Sequence, residues 1–450
     1  MRSTPALPHG LRVGSKNASV AVPATEQAPI RLVLHDDDLT RNRLTVFFRL
    51  LLAIPHLVWL MLWGLATSVV AFVLWLAILI NAEAPSSLHG FVAGYVRYAT
   101  HVSAYLFLAA NPYPSFRGRP GYPVDVEIDP PARQNRWTGF FRLLLAVPAL
   151  MLAATLGAGF TWSASGGIYL VFVALATSSG VAGVAALLAW FSSLVLGRES
   201  RGLRDVTAYT LGYGAQTGGY TLLLTGRYPS SDPVLATSFA ELPEHPVRVV
   251  VSDELVRPRL TVLFRLLLAL PHPVWLMLWS IPATVAAVIA WFAALITGRV
   301  PSAIHRFLAA YVRYATHVIA FLYLIGRKFP GFTGRAGSYG VDIVIPEPVR
   351  QNRWKTLFRF FLAIPALLLA SALGGAAFVV AFLGWWYALV TGRMPEGLRN
   401  LGASCLRYTA QTYAYFLLLT DRYPYASPVL SPRRAEPSEY LAATVSEETP

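Results

Sequence analysis

The residues in this chain that could do chemistry are few, and they recur at matching places. His35-Asp36-Asp37-Asp38 and, in the corresponding place further on, Ser252-Asp253-Glu254 set acids at the end of a β-branched run, where carboxylates could hold a divalent cation. The neighbouring Arg41, Arg43, Arg257 and Arg259 favour a plainer reading, turn capping and local charge balance. His56 and His272 form a repeated pair after a Leu-rich Pro turn; they could relay a proton or bind metal, but packing at an interface accounts for them. One helical segment carries a narrow polar stripe: His89, Arg97 and His101, then His305, Arg313 and His317, then Asn400, Ser404, Arg407 and Gln411. No phosphate-binding Gly loop, zinc-protease helix, nucleophile elbow or Ser/His/Asp set is present in the sequence. The lone Cys405 excludes an internal disulfide and a multi-cysteine metal site. The expectation is no enzyme, no cofactor and no metal.

Four long apolar stretches must position these groups. Each is entered through Phe-Arg and a Leu-rich Pro turn: Phe48-Arg49 to Pro55, Phe141-Arg142 to Pro148, Phe264-Arg265 to Pro271, and Phe358-Arg359 to Pro365. No charged residue lies between Arg49 and Glu83, Arg142 and Arg198, Arg265 and Arg299, or Arg359 and Arg393, and uncharged apolar runs of that length read as membrane-spanning. With 55% hydrophobic and only 13% charged residues, the chain cannot cover its surface in water. The net charge of +14 is almost wholly arginine, because lysine occurs only at Lys16, Lys328 and Lys355. Guanidinium forks bind phosphate in pairs of hydrogen bonds, which suits anionic lipid. Nucleic acid is not the expected partner, since the arginines flank apolar runs instead of lining a soluble face. Met1 to Thr25 has no apolar core of a signal peptide, so the first apolar stretch is expected to direct insertion.

The chain repeats at two levels. Leu44 to Trp63 recurs as Leu260 to Trp279, and Tyr95 to His101 as Tyr311 to His317. Likewise Arg133-Gln134-Asn135-Arg136-Trp137 recurs as Arg350 to Trp354. The order is A-B-A′-B′, a duplicated two-unit half, which implies pseudo-twofold packing. The expected domains are a disordered tail 1–29, unit A 30–121, unit B 122–240 with a midpoint insertion 160–182, unit A′ 241–338, unit B′ 339–430, and a disordered acidic tail 431–450.

Each unit opens with a short strand: Ile30 to Leu34, Val124 to Ile128, Val247 to Val251 and Val341 to Ile345. The four are expected to meet in one small cytoplasmic sheet that buries valines and leaves Asp125, Glu127 and Asp129 in solvent. A single helix of each apolar stretch is too long for a hydrocarbon core of about 30 Å. Breakers at the midpoints (Gly64, Gly157, Pro282, Gly374-Gly375), and basic residues on both flanks, favour a hairpin with both ends in the cytoplasm. The alternative is one kinked span paired with the helix that follows. That following helix, with its stripe of arginines among tyrosines, is expected to lie in the membrane interface. The candidate lipid-headgroup residues are Arg49, Arg97, Arg142, Arg265, Arg313, Arg359 and Arg407.

Arg-x4-Phe-Arg-Leu-Leu-Leu-Ala-x-Pro, the Gly-Arg-x-Pro loops at Gly298 and Gly392, and Leu418 to Pro424 together resemble domain-of-unknown-function family 4389 (DUF4389), bacterial and mostly actinobacterial membrane proteins. The resemblance spans roughly residues 30 to 426; unit A departs from it at Asn81 to Pro85, and unit B at Glu199-Ser200 and the insertion. It implies an integral membrane protein and supplies no catalytic residues.

The expected fold is thus an all-α polytopic membrane protein with short strands, multi-pass in the plasma membrane, with both termini cytoplasmic. The expected function is a non-enzymatic membrane scaffold or envelope-associated component that binds anionic phospholipid and docks protein partners at its sheet. The alternative is a lipid or small-molecule transporter with its path between the halves.

Overall fold

The computed structural model describes residues 28–35, 39–157, 180–233 and 245–428. The expected C-terminal tail, all but residues 28 and 29 of the N-terminal one, the acids Asp36, Asp37 and Asp38, and most of the midpoint insertion lie outside the described residues.

Unit A runs β1 (Ile30–Leu34), α1 (Arg43–Phe47), α2 (Arg49–Asn81) and α3 (Ser86–Leu106). Asn42 caps α1 by accepting from the Leu44 N–H at 3.0 Å, as Asn135 and Asn352 cap the matching helices of units B and B′. α2 is one continuous helix of 33 residues with Pro55 inside it. The expected hairpin is therefore absent from this unit. Gly64, read as a turn signal, lies buried mid-helix. The backbone of an apolar helix has no solvent to bond to, so glycines do not break it.

Unit B has β2 (Val124–Ile128), α4 (Arg136–Phe140), α5 (Arg142–Leu156), α6 (Val181–Leu196) and α7 (Arg201–Thr221). Its long helix is split at the insertion, yet the two ends meet. A Cβ on Gly180 would sit 2.6 Å from the Gly157 Cα. Unit A′ has β3 (Arg248–Val251), α8 (Arg259–Leu263), α9 (Arg265–Ala269), α10 (Pro271–Thr297) and α11 (Ser302–Leu322). Arg265–Thr297 together form a second apolar stretch of 33 residues. Unit B′ has β4 (Val341–Val344), α12 (Arg353–Leu357), α13 (Arg359–Thr391, again 33 residues) and α14 (Glu396–Phe416).

The helices α3, α7, α11 and α14, each of 21 residues, form the interior. This corrects the expectation that they lie in the membrane interface: they are covered by the long helices on one side and by strands on another, and in α7 nearly every side chain is buried. The long helices carry the exposed apolar surface, with Leu51, Leu62, Val69 and Ile80 of α2 all open.

Units pair antiparallel within each half. The Gln134 N–H reaches the Ala82 carbonyl at the end of α2 (2.8 Å), and the Arg41 N–H reaches the Gly197 carbonyl at the end of α6 (2.9 Å). The second half repeats both bonds, Gln351 N–H to Gly298 O (2.8 Å) and Arg257 N–H to Gly392 O (2.7 Å). Each unit thus begins where its partner's long helix ends.

The strands form two antiparallel pairs, Ile30↔Ile128 to Leu34↔Val124 and Arg248↔Val344 to Val251↔Val341, instead of the single expected sheet. Each pair lies on the inner helices of its own half, burying Ile30, Leu32, Val124 and Val126 or Val341 and Ile343. A strand pattern fixes the face that is buried but not the partner.

Units B and B′ join the halves. Leu152, Leu156 and Val181 pack with Leu369, Leu373 and Val380. Polar bonds flank this cluster, Tyr425 Oη to Asp205 Oδ2 (3.1 Å) and Asn400 Nδ2 to Asp232 Oδ2 (2.9 Å).

Candidate functional site

The arginine that opens each long helix is buried in a repeated seat. Arg49, Arg142, Arg265 and Arg359 each place the guanidinium 4.2–4.3 Å from the ring centroid of Tyr105, Tyr220, Phe321 or Tyr415 on the inner helix. Arg49 Nη1 donates to the carbonyls of Tyr105 (2.8 Å) and Ala110 (3.2 Å), and Arg359 Nη1 to those of Tyr415 (3.1 Å) and Thr420 (3.0 Å). In units B and B′ the fork is completed by a glutamine, Gln134 on Arg142 and Gln351 on Arg359.

These seats hold strained turns. The residue after each inner helix's cap is a leucine in the left-handed region: Leu108 (φ 63), Leu223 (65), Leu324 (57) and Leu418 (62). A β-carbon there costs about 1–2 kcal/mol, and helices usually place glycine at this position. The arginine adds donors to the carbonyls of this turn, Ala110 O and Thr420 O among them, and so offsets part of that strain.

The other three predicted arginines also face inward. Arg97 Nε donates to Val126 O (3.1 Å) and Arg313 Nε to Ile343 O (3.3 Å), tying inner helix to strand. Arg407 is buried and donates to Ser427 O; burial lowers its pKa to about 10. Among the seven candidates only Arg97 and Arg313 keep partly open side chains, at 23% and 14% exposure.

Beside them lies a pair that the sequence reading placed elsewhere. Asp125, expected in solvent, is buried, with Oδ1 2.8 Å from His101 Nε2; Asp342 stands 2.9 Å from His317 Nε2. Burial pushes both carboxyls up, but the histidine and two backbone N–H groups outweigh it and hold each below its ordinary value. Tyr122 and Tyr339 lie against the histidine rings, with centroids 4.7 and 5.0 Å away. The stripe had shown His101 and His317; their partners sit 24 and 25 residues downstream on a strand, a separation that no helix period reveals.

His56 and His272 are buried against Tyr98 Oη (2.6 Å) and Tyr314 Oη (2.7 Å), between aromatic rings. Of the acid clusters, Asp253 pairs with Arg257 (3.0 Å) and Glu254 with Arg327 (2.9 Å). Among the described residues no three His, Cys, Asp or Glu side chains gather as a metal-binding set.

Three surface arginines stand at the ends of the long helices. Arg43 Nη2 donates to Val195 O at the end of α6 (3.1 Å), Arg259 to Val390 O at the end of α13 (2.7 Å), and Arg353 to Ile296 O at the end of α10 (2.9 Å). Each cation complements the negative end of a helix dipole and borders exposed apolar surface.

The fold is a tandem repeat, four copies of an outer apolar helix and a buried inner helix, and among the described residues three helices are long and apolar enough to cross a membrane. Residues 43–117, 168–231, 259–333 and 353–427 match the family model described as "Domain of unknown function (DUF4389)". The matches cover more than half of the chain, and the protein belongs to this family. No curated protein and no solved structure matches the chain. Three of the four matches contain the seated arginine and its inner helix, the second beginning after Arg142 and holding the inner helix alone, whereas all four strands, with Asp125 and Asp342, fall outside the matches.

Proposed function

We propose that the protein is a non-enzymatic membrane scaffold whose surface arginines gather anionic phospholipid. The observation that carries this reading is the placement of Arg43, Arg259 and Arg353, exposed at the ends of long helices whose outer faces are apolar. A phosphate oxygen there would meet guanidinium donors at the depth where acyl chains begin. The seven inward arginines hold turns and strands in place, so the headgroup role passes to this exposed set. A scaffold is preferred to a transporter with its path between the halves, because the junction of B and B′ is filled by apolar packing and closed by paired polar bonds. A path there would break both.

The test is anionic phospholipid retained on purification from a mixed bilayer. Arg43→Gln, Arg259→Gln and Arg353→Gln combined should lower the ratio of anionic to zwitterionic lipid several-fold, since each arginine near the surface contributes about 1 kcal/mol. An unchanged ratio sinks the proposal.

A further inference from the structure

The path of the chain beside the long helices bears on how they meet the bilayer. Near the start of α2, Tyr113 Oη bonds Leu52 O (3.2 Å) and Trp59 Nε1 bonds Phe116 O (3.1 Å). At its other end the Gln134 N–H bonds Ala82 O (2.8 Å), and Trp75 Nε1 bonds Gly139 O (3.2 Å). Residues 117–133 therefore travel the length of α2 from the level of Trp59 to that of Ala82, roughly 35 Å at the helical rise. This segment is irregular apart from β2, and it exposes Arg117, Arg119, Glu127, Asp129 and Arg133. Unit A′ repeats the path. Phe332 O meets Trp275 at one end, the Gln351 N–H meets Gly298 O at the other, and Arg335 and Glu347 are exposed between.

An upright α2 would carry that segment through the hydrocarbon, about 30 Å thick. Irregular backbone and exposed charge do not cross lipid. A tilted α2 would still place part of the segment inside. A helix lying along the surface meets both demands: its open apolar face turns to the acyl chains, and the strand layer on the far side of α3 turns to water.

Resting on the membrane reading above, we propose that the long helices of units A and A′ lie in the plane of the membrane, embedded in one leaflet of an anionic bilayer, and do not span it. Arg43 before α2 and Arg133 beside Glu83 at its end (3.5 Å), like Arg259 and Arg353 in unit A′, then reach the same headgroup layer. Such basic flanks on both sides are the pattern from which the sequence suggested a hairpin. Helices of this kind bury their apolar face about 5–10 Å below the headgroups.

The experiment uses the full-length protein in bilayers, with the buried Cys405 as a silent background. Spin labels at Leu51→Cys, Leu62→Cys and Val73→Cys on the open face of α2 should all report the same shallow depth with lipid-borne quenchers. Arg43→Cys, Glu83→Cys and Glu127→Cys should react with an impermeant maleimide from one side only, and all from the same side. A Leu62 label at the bilayer centre, or Arg43 and Glu83 reacting from opposite sides, overturns the proposal while leaving anionic lipid retention intact. Labels shielded from lipid altogether also overturn it, since a second copy would then cover the face. Equal shallow depths with no anionic preference would instead sink the charge-based reading and keep the in-plane one.

Discussion

Arg41 and Arg257 occupy equivalent places in the two halves, and each is fully buried beside a carboxylate of different origin. Arg41 takes Glu199 from the loop after its partner's long helix, at 2.9 Å with both side chains wholly enclosed. Arg257 takes Asp253 from its own unit at 3.0 Å, together with the carbonyls of Leu324 and Ile325. Where Glu199 stands in the first half, the second half has Met394, buried against Gly384. The backbone frame is unchanged, because Glu199 N–H bonds Leu39 O and Met394 N–H bonds Leu255 O, both at 2.8 Å. What duplication preserved is the cation facing helix-end carbonyls. Glu199, by contrast, has no counterpart acid at Met394.

If the carbonyl seats are the shared foundation, breaking one in either half should be most damaging. Arg49→Met and Arg359→Met should each destabilise the protein by about 3 kcal/mol, since a buried carbonyl at a strained turn loses its arginine donor and an aromatic ring its cation. Thermal unfolding in detergent reads this, and unequal losses would show that the halves are not equivalent. Smaller, about 2 kcal/mol, should be the cost of Glu199→Met, because Arg41 keeps the carbonyl of Leu108. Copying the first half into the second, Met394→Glu should also destabilise, as Arg257 already has its acid. A neutral Glu199→Met would mean that the carboxylate is dispensable in both halves.

A pH difference between the halves follows. Burial pushes the Glu199 carboxyl from 4.5 up to about 8, against the pull of Arg41. Between those values the folded protein holds a proton that the unfolded chain has released. Glu199 therefore contributes fully below the lower value, and its contribution fades as pH rises through the upper one. The melting temperature of the native chain relative to Glu199→Gln should fall between about pH 5 and about pH 9; Met394→Gln should show no such slope. The smallest effect belongs to unit B: deleting residues 158–179 should leave the fold and its stability nearly unchanged, because Gly157 and Gly180 already touch. Loss of the folded protein would show that the insertion holds α5 and α6 in place.

Repetition, the ends of the apolar runs and the positions of the strands were legible because each leaves a local mark: a copied motif, a missing charge, an alternation of valines. Partners were not. Asp125 and Glu127 alternate with valines alike, yet only Asp125 folds back to a histidine. The seats join Phe-Arg to an aromatic 56 residues on, at Arg49–Tyr105 and again at Arg359–Tyr415, and that constant interval was the available clue. Many of their acceptors are main-chain carbonyls, which carry no side-chain identity. The hairpin was misread because small residues that mark turns in water are carried within a helix in apolar surroundings, as Gly374 and Gly375 are.

The pairing of Arg41 with Glu199 also sets a timetable for biosynthesis. The two are 158 residues apart, so a ribosome that has just made Arg41 must extend the chain through the whole of unit A and the long helix of unit B before the acid exists. Until then the start of unit A lacks both Glu199 and the Gly197 carbonyl that anchors it. The earliest point at which these two contacts can form is the emergence of the loop after α6.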